Sequence, residues 1–377
     1  MKKISALLAL VSLIATGLTQ ATAAPNEGGF SSDNVEFVEF VPFEVGTATG
    51  ARVVGKYLYV TSWKTFSIYD VSDPLSPQLI TTEPFGFKFE NEDVATNGKL
   101  LIFSETTPRS ILHVWDVEDK TNPVEIATLD GAGEHTMSCI LKCKWLYGSE
   151  GGIIDLRDPT QPKKMEEKWG DGSPNQDSNG HDITEVANGL VLTSSNPMQF
   201  LDARKDPRHP KLLALAEQQE AFVHSNHWPR NAKDRFALST GETWVPGADA
   251  RCDDTSAGLS SWDTKGWQKT HTLREIDTIT MKAGTWQDGS PAINAPFGCS
   301  SHWFDTHPKF KNGGLLAAGF YNHGTRFIEV GKDGKLTEVG YHLPHAGGTS
   351  AAYWMTNDIV YAIDYQRGFD VLKFNGK

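Results

Sequence analysis

The chain has 377 residues, 39% of them hydrophobic and 22% charged, a globular composition long enough for a substantial core. Its formal charge of -12 becomes about -14 when Lys2 and Lys3 leave with a leader, since residues 1–23 carry no other charge. An acidic surface argues against a nucleic-acid partner and against attraction to anionic lipid.

The first residues set the compartment. Lys2 and Lys3 precede an apolar run, Ile4 to Leu18, and Ala21-Thr22-Ala23 offers small residues for cleavage. This predicts a signal peptide over 1–23 and a secreted or periplasmic protein. The apolar run is too short for a stable membrane anchor, and nothing downstream resembles a transmembrane segment. Residues 24–34 are expected to be a flexible mature N-terminus. Residues 35–377 are expected to form one domain, opened by the alternating strand Val35-Glu-Phe-Val-Glu-Phe-Val41.

From there a repeat runs down the chain. Its mark is an acid ending an apolar run: Ser67-Ile-Tyr-Asp-Val71, His113-Val-Trp-Asp-Val117, Gly152-Ile-Ile-Asp-Leu156 and Gln199-Phe-Leu-Asp-Ala203. Degenerate copies follow at Ser261-Trp-Asp-Thr264, Arg326-Phe-Ile-Glu-Val330 and Gly368-Phe-Asp-Val-Leu372. The first three steps are 46, 39 and 47 residues (Asp70 to Asp116 to Asp155 to Asp202). Proline-containing turns such as Asp73-Pro-Leu-Ser-Pro77 come next, and β-branched runs such as Tyr57-Leu-Tyr-Val60 and Ile359-Val-Tyr-Ala-Ile363 precede the marks. Proline cannot donate to a strand ladder, so these turns are corners. A strand-rich period of 40–50 residues predicts an all-β fold, a seven-bladed β-propeller with four strands per blade. The seventh mark lies too near the C-terminus to leave room for a fourth strand, so Val35–Val41 is expected to close the last blade. Blade five carries an insertion at about 245–258.

Four cysteines in an exported chain predict two disulfides. Cys139 and Cys143 flank a short turn and suit a cross-hairpin bridge, leaving Cys252 with Cys299. A soft metal site at the C-x3-C pair is the alternative. The eleven tryptophans are expected to fill space between blades, with an aromatic glycan platform as the other reading.

Five histidines share the repeat: His135, His181, His227, His302 and His345 are separated by 46, 46, 75 and 43 residues. Counting back from the marks places them at the starts of innermost strands, at one mouth of the axial channel. His224 is as good a candidate as His227. In blades one and two the equivalent places hold Thr49 and Glu92. His323 falls in a turn between the second and third strands of blade six and is a further candidate ligand. Imidazole is the commonest neutral ligand for zinc, copper, nickel and iron, and rigid strands would preorganise several of them. Glu92, Glu134, Asp182 and Asp305 are candidates to orient the rings. His113, His209, His271, His307 and His342 fall off this phase and are expected to serve turns or surface. Arg326 and Arg367 are expected to pair with acids rather than bind an anion. There is no P-loop, dinucleotide glycine fingerprint, nucleophile elbow or H-E-x-x-H, so no nucleotide cofactor is expected.

Tyr57-Leu-Tyr-Val60, Tyr69-Asp-Val-Ser-Asp-Pro74 and Gly368-Phe-Asp-Val371 resemble the LVIVD repeat, a propeller repeat of secreted and surface bacterial proteins, over roughly residues 35–375. The Asp-Val-Ser-Asp-Pro turn also resembles the selenium-binding protein and methanethiol oxidase propellers. That second resemblance implies copper held near the axis by histidines and an oxidase-like activity. The function expected is therefore a transition-metal centre, copper or zinc, at the channel mouth of an exported propeller, acting on a small molecule. The alternative is a metal-free scaffold that docks a protein or glycan.

Overall fold

The computed structural model describes residues 28–43, 48–62, 64–84, 92, 94–105, 110–172, 179–218, 222–242, 257–281, 300–345 and 347–376. Cys252, Cys299 and most of the insertion at 245–258 lie outside the described residues, as does the side chain of Thr49.

Apart from Phe30–Ser31, the described strands sort into seven antiparallel groups of four, two of them joined in one eight-stranded sheet. Blade 1 comprises Ala48–Val54, Tyr57–Ser62, Thr65–Asp70 and Gln78–Pro84. The innermost strands of blades 2 to 7 are Ala95–Thr96, Met137–Ile140, Ile183–Ala187, Val223–His227, Phe304–Thr306 and Thr349–Trp354. Blade 7 takes its fourth strand from the N-terminus: Val35–Pro42 pairs antiparallel with Gly368–Phe374, from Val35 opposite Phe374 to Pro42 opposite Gly368. Blades 4 and 5 are also linked by a short parallel pairing, Leu215 with Thr272 and Ala216 with Leu273.

Alternation of side chains along each strand explains the core. Successive residues of an innermost or second strand point to opposite faces, so each blade packs on both neighbours. In Tyr57–Ser62, Leu58 and Val60 face blade 7, whereas Tyr59 faces blade 2. One buried apolar cluster fills each junction between consecutive blades, and the cluster joining blades 7 and 1 closes the ring. Trp169, Trp228 and Trp262 are fully buried within this system. The outermost strands, such as Val124–Asp130, remain largely exposed.

The repeat acids have a local cause. Asp70, Asp116, Asp155 and Asp202 each accept the backbone N–H two residues on, from Ser72, Glu118, Arg157 and Arg204, capping the exit from the third strand. A second aspartate repeats the device in the next turn, Asp73 for Leu75 and Asp158 for Thr160. In blade 7 the mark is not a cap: Asp370 is buried and pairs with Arg367.

Part of the stretch expected to be flexible is instead strand. Phe30–Ser31 pairs with His342 and Leu343 at the edge of blade 6, so the N-terminal segment straps two blades before closing the ring. No helix of the described residues is long and apolar enough to cross a membrane.

Candidate metal centre

The innermost strands start at one mouth of the channel, and the histidine phase follows from that. His135, His181 and His302 each stand two residues before their strand, and Glu92 stands three before Ala95–Thr96. Their backbones are tied blade to blade. Thr136 donates to the His181 carbonyl, Thr184 Oγ1 donates to Asn226 O at 3.1 Å, and Ser225 Oγ donates to His302 O at 2.9 Å. Gly50 lets blade 1 pass directly beneath this ring, because a Cβ there would meet the Glu92 carbonyl oxygen at 2.0 Å.

Four imidazoles converge on one carboxylate oxygen. Glu92 Oε2 lies 3.1 Å from His224 Nε2, 3.2 Å from His302 Nε2, 3.7 Å from His181 Nε2 and 3.9 Å from His135 Nε2. His135 Nε2 and His181 Nε2 are themselves 3.0 Å apart. Glu92, His224 and His302 are buried, whereas the His135 side chain is 37% exposed and forms the open side. Three overlapping sets, Glu92 with His224 and His302, Glu92 with His135 and His181, and His181 with Asp182 and His224, have ligand atoms close enough to share an ion.

Of the other ring nitrogens, that of His302 is hydrogen-bonded, whereas those of His181 and His224 face a buried carboxylate beyond hydrogen-bond distance. His302 Nδ1 donates to Ser350 O at 2.6 Å. His181 Nδ1 and His224 Nδ1 lie 3.7 and 3.8 Å from the same oxygen of Asp182, a fully buried carboxylate. Such outer partners set tautomer and ring orientation in metal sites.

Electrostatics divides the histidines. Burial opposes ionisation of Glu92, but the charge and hydrogen bonds of His302 and His224 outweigh it and hold the carboxyl well below the usual carboxylate range. Burial disfavours protonated His302 too, yet the Glu92 carboxylate overcomes this and raises it. Burial and neighbouring imidazoles push His181 and His224 down, leaving them neutral and able to ligate near neutral pH.

Three expected ligands are not brought to this point. A register shift between Val223 and Asn226 aims His224 into the centre, while His227 stands further along the strand, in register with Leu238. There burial and the Arg52 charge push His227 down to about 4. His345 stands four residues before Thr349 rather than two; it is exposed and packs edge-on against Phe30 at 5.1 Å. His323 is buried beside Arg326, which donates to its carbonyl at 2.7 Å, and burial pushes its ring down to about 4.

Two expected orienting acids serve the chain instead. Glu134 accepts the Glu150 N–H at 2.6 Å, closing the turn that leads into blade 3's third strand. Asp305 accepts the Trp354 N–H at 3.1 Å, joining blade 6 to blade 7. His113 and His342, expected in turns or at the surface, are buried: His113 stacks on Phe103 and bonds Glu125 at 2.6 Å, and His342 stacks on Phe37. His209 and His271 stay in exposed turns, and His307 bonds Asn357 O at 2.8 Å. Arg326 pairs with Glu338 at 3.0 Å, and Arg367 with Asp364 and Asp370 at 3.1 and 2.8 Å.

Three site residues escape sequence reasoning. Tyr365 donates to Glu92 Oε1, which leaves Oε2 to the imidazoles. Tyr321 lies 4.7 Å from the His302 ring and donates at 2.7 Å to Glu242, whose other oxygen is 3.9 Å from His224 Nε2. All three follow a second strand, in blades 5, 6 and 7, and Tyr321 and Tyr365 are 44 residues apart, a usable signal. Cys139 and Cys143 are disulfide-bonded across the hairpin turn of blade 3.

The LVIVD repeat signature matches residues 45–82, which takes in most of blade 1. No curated protein matches the chain. Among solved structures, the crystal structure of the RRP9 WD40 repeats superposes with a TM-score of 0.57 at 9% identity, covering 92% of this chain and 98% of that one. The structure of U3-55K gives 0.55 at 9% identity, covering 90% and 98%. At such identity these likenesses show the fold alone. None of these findings shows the likeness to selenium-binding and methanethiol oxidase propellers. The chain is an all-β propeller of WD40-like architecture that carries an LVIVD repeat.

Proposed function

We propose that Glu92, His135, His181, His224 and His302 hold a transition-metal ion, copper or zinc, at the channel mouth of an exported propeller. One observation carries the reading: four Nε2 atoms from four blades lie within 3.9 Å of a single buried carboxylate oxygen. Imidazole with one carboxylate suits zinc and copper. A bound ion would supply Lewis-acid or redox chemistry there. The chain's own part is to hold His302 through Ser350, to set the Asp182 charge behind His181 and His224, to fix Glu92 through Tyr365, and to leave the His135 side open to a small substrate for oxidase-like turnover. Export is supported by the Lys2-Lys3 and Ile4–Leu18 leader pattern and by the Cys139–Cys143 bridge, which suits an oxidising compartment.

The test is elemental analysis of protein recovered from the periplasm, with its N-terminus sequenced. The expected results are a start at residue 24, about one copper or zinc per chain, and loss of that metal in His224→Ala plus His302→Ala while the fold persists. Metal-free wild-type protein would overturn the reading. It would favour the scaffold that docks a protein or glycan, a role that the mutual charge stabilisation of Glu92 and His302 also permits.

A further inference from the structure

The innermost strands of blades 1 to 4 run from the imidazole mouth toward the opposite end of the channel. A cavity of about 230 Å³ lies along these strands and the turns that follow them, lined by Arg52, Asn97, Ser138, Lys142, Thr184 and Glu185, with the Cys139–Cys143 bridge in its wall. At about 3.3 Å per strand residue, Ile140 lies roughly 10 Å beyond Met137, so the strand sets the Lys142 turn that follows it apart from the imidazole mouth. We propose that this cavity is a binding site for a small organic oxyanion, a carboxylate or a phosphate ester, separate from the metal centre.

Three observations carry the assignment. Arg52 of blade 1 and Lys142 of blade 3 bring two cations to one concave wall of an otherwise acidic chain. A guanidinium fork matches the paired oxygens of a carboxylate or phosphate, and an ammonium adds a point charge. One oxygen of the acid on the same wall is taken by the backbone: Glu185 Oε1 accepts the Leu141 N–H at 2.8 Å and the Gly189 N–H at 2.6 Å. The turn that carries Lys142 is held in an unfavourable shape. Leu141, Lys142 and Cys143 have φ of 54°, 63° and 60°, three successive left-handed residues without a glycine. The disulfide, the Glu185 bond and a 3.1 Å bond from Asn97 Nδ2 to Lys142 O all clamp it there. Backbone held at such cost clusters at ligand sites, and here its effect is to place the Lys142 ammonium over the cavity.

The experiment is titration calorimetry on the mature, disulfide-intact protein at low ionic strength, with succinate in one arm, inorganic phosphate in another and neutral succinamide as control. The expected result is saturable one-to-one binding of succinate or phosphate, with succinamide silent. The arm that saturates names the carboxylate or the phosphate class. Lys142→Gln lies on an exposed turn and is expected to weaken binding at least tenfold without changing the melting temperature. Arg52→Gln is expected to do the same with metal content unchanged, which separates this site from the metal centre. The proposal is overturned if neither anion saturates, if both variants bind like wild type, or if binding disappears only in His302→Ala.

Discussion

At the scale of single residues, the proposed centre can be tested at an acid behind the imidazoles. Asp182 faces the outer nitrogens of both His181 and His224, so Asp182→Asn removes one charge from two rings at almost constant volume. Loss of such an outer partner weakens metal affinity about 10–100-fold. Competition against a chelator measures this, and an affinity within threefold of wild type would remove Asp182 from the centre. Asp305 tests a different effect. Burial pushes its carboxyl up to about 6, against an ordinary 3.8, with the Trp354 N–H opposing. Between those values the folded state keeps a proton that the unfolded state has lost, so stability falls as pH rises through this window. The full shift corresponds to about 3 kcal/mol. Partial exposure reduces this to about 1–2 kcal/mol. Asp305→Asn retains an acceptor for Trp354 and is expected to unfold at higher denaturant than wild type at pH 7 but not at pH 4. A difference that is the same at both pH values would refute this.

At the scale of elements, the repeat made the strands and the imidazole phase readable, because each blade restarts at the same mouth of the channel. What it could not show were local departures of one or two residues. His345 shares the interval but stands two residues too early, and the bulge in Val223–His227 chooses His224 over His227. Glu242, Tyr321 and Tyr365 come from a second phase of the same repeat, the turns after the second strands, and in blade 6 that turn brings Tyr321 rather than His323 to the site. The blade 3 hairpin yields its own prediction. Its bridge closes a loop with a sequence separation of 4, which corresponds to about 2 kcal/mol of lost unfolded-state entropy. Cys139→Ser is therefore expected to lower unfolding free energy by about 2 kcal/mol in denaturant titration. The same decrement should appear in wild type with reductant. No change on reduction would mean that Asn97 and Glu185 hold the turn unaided.

At the scale of the whole molecule, stability rests on closure, since each junction cluster exists only when both blades are present. The N-terminal strand is the last piece of that ring: Val35 and Phe37 join the cluster between blades 6 and 7, and Val38 and Val41 join that between blades 7 and 1. Deleting residues 24–42 removes these four side chains and leaves Gly368–Phe374 as an open edge strand. The lost apolar burial is worth roughly 4 kcal/mol. Spread over the unfolding entropy of about 350 residues, that lowers the melting temperature by roughly 5 °C. The exposed edge should also make the shortened protein self-associate, because an unpaired strand templates pairing with another chain. Light scattering during a thermal ramp reads both effects. A synthetic peptide of residues 28–42 added in trans should restore the midpoint and suppress the scattering, by supplying the missing strand to the same edge. A truncated protein that melts like the full chain and stays monodisperse would show that blades 1 to 7 hold the ring without it.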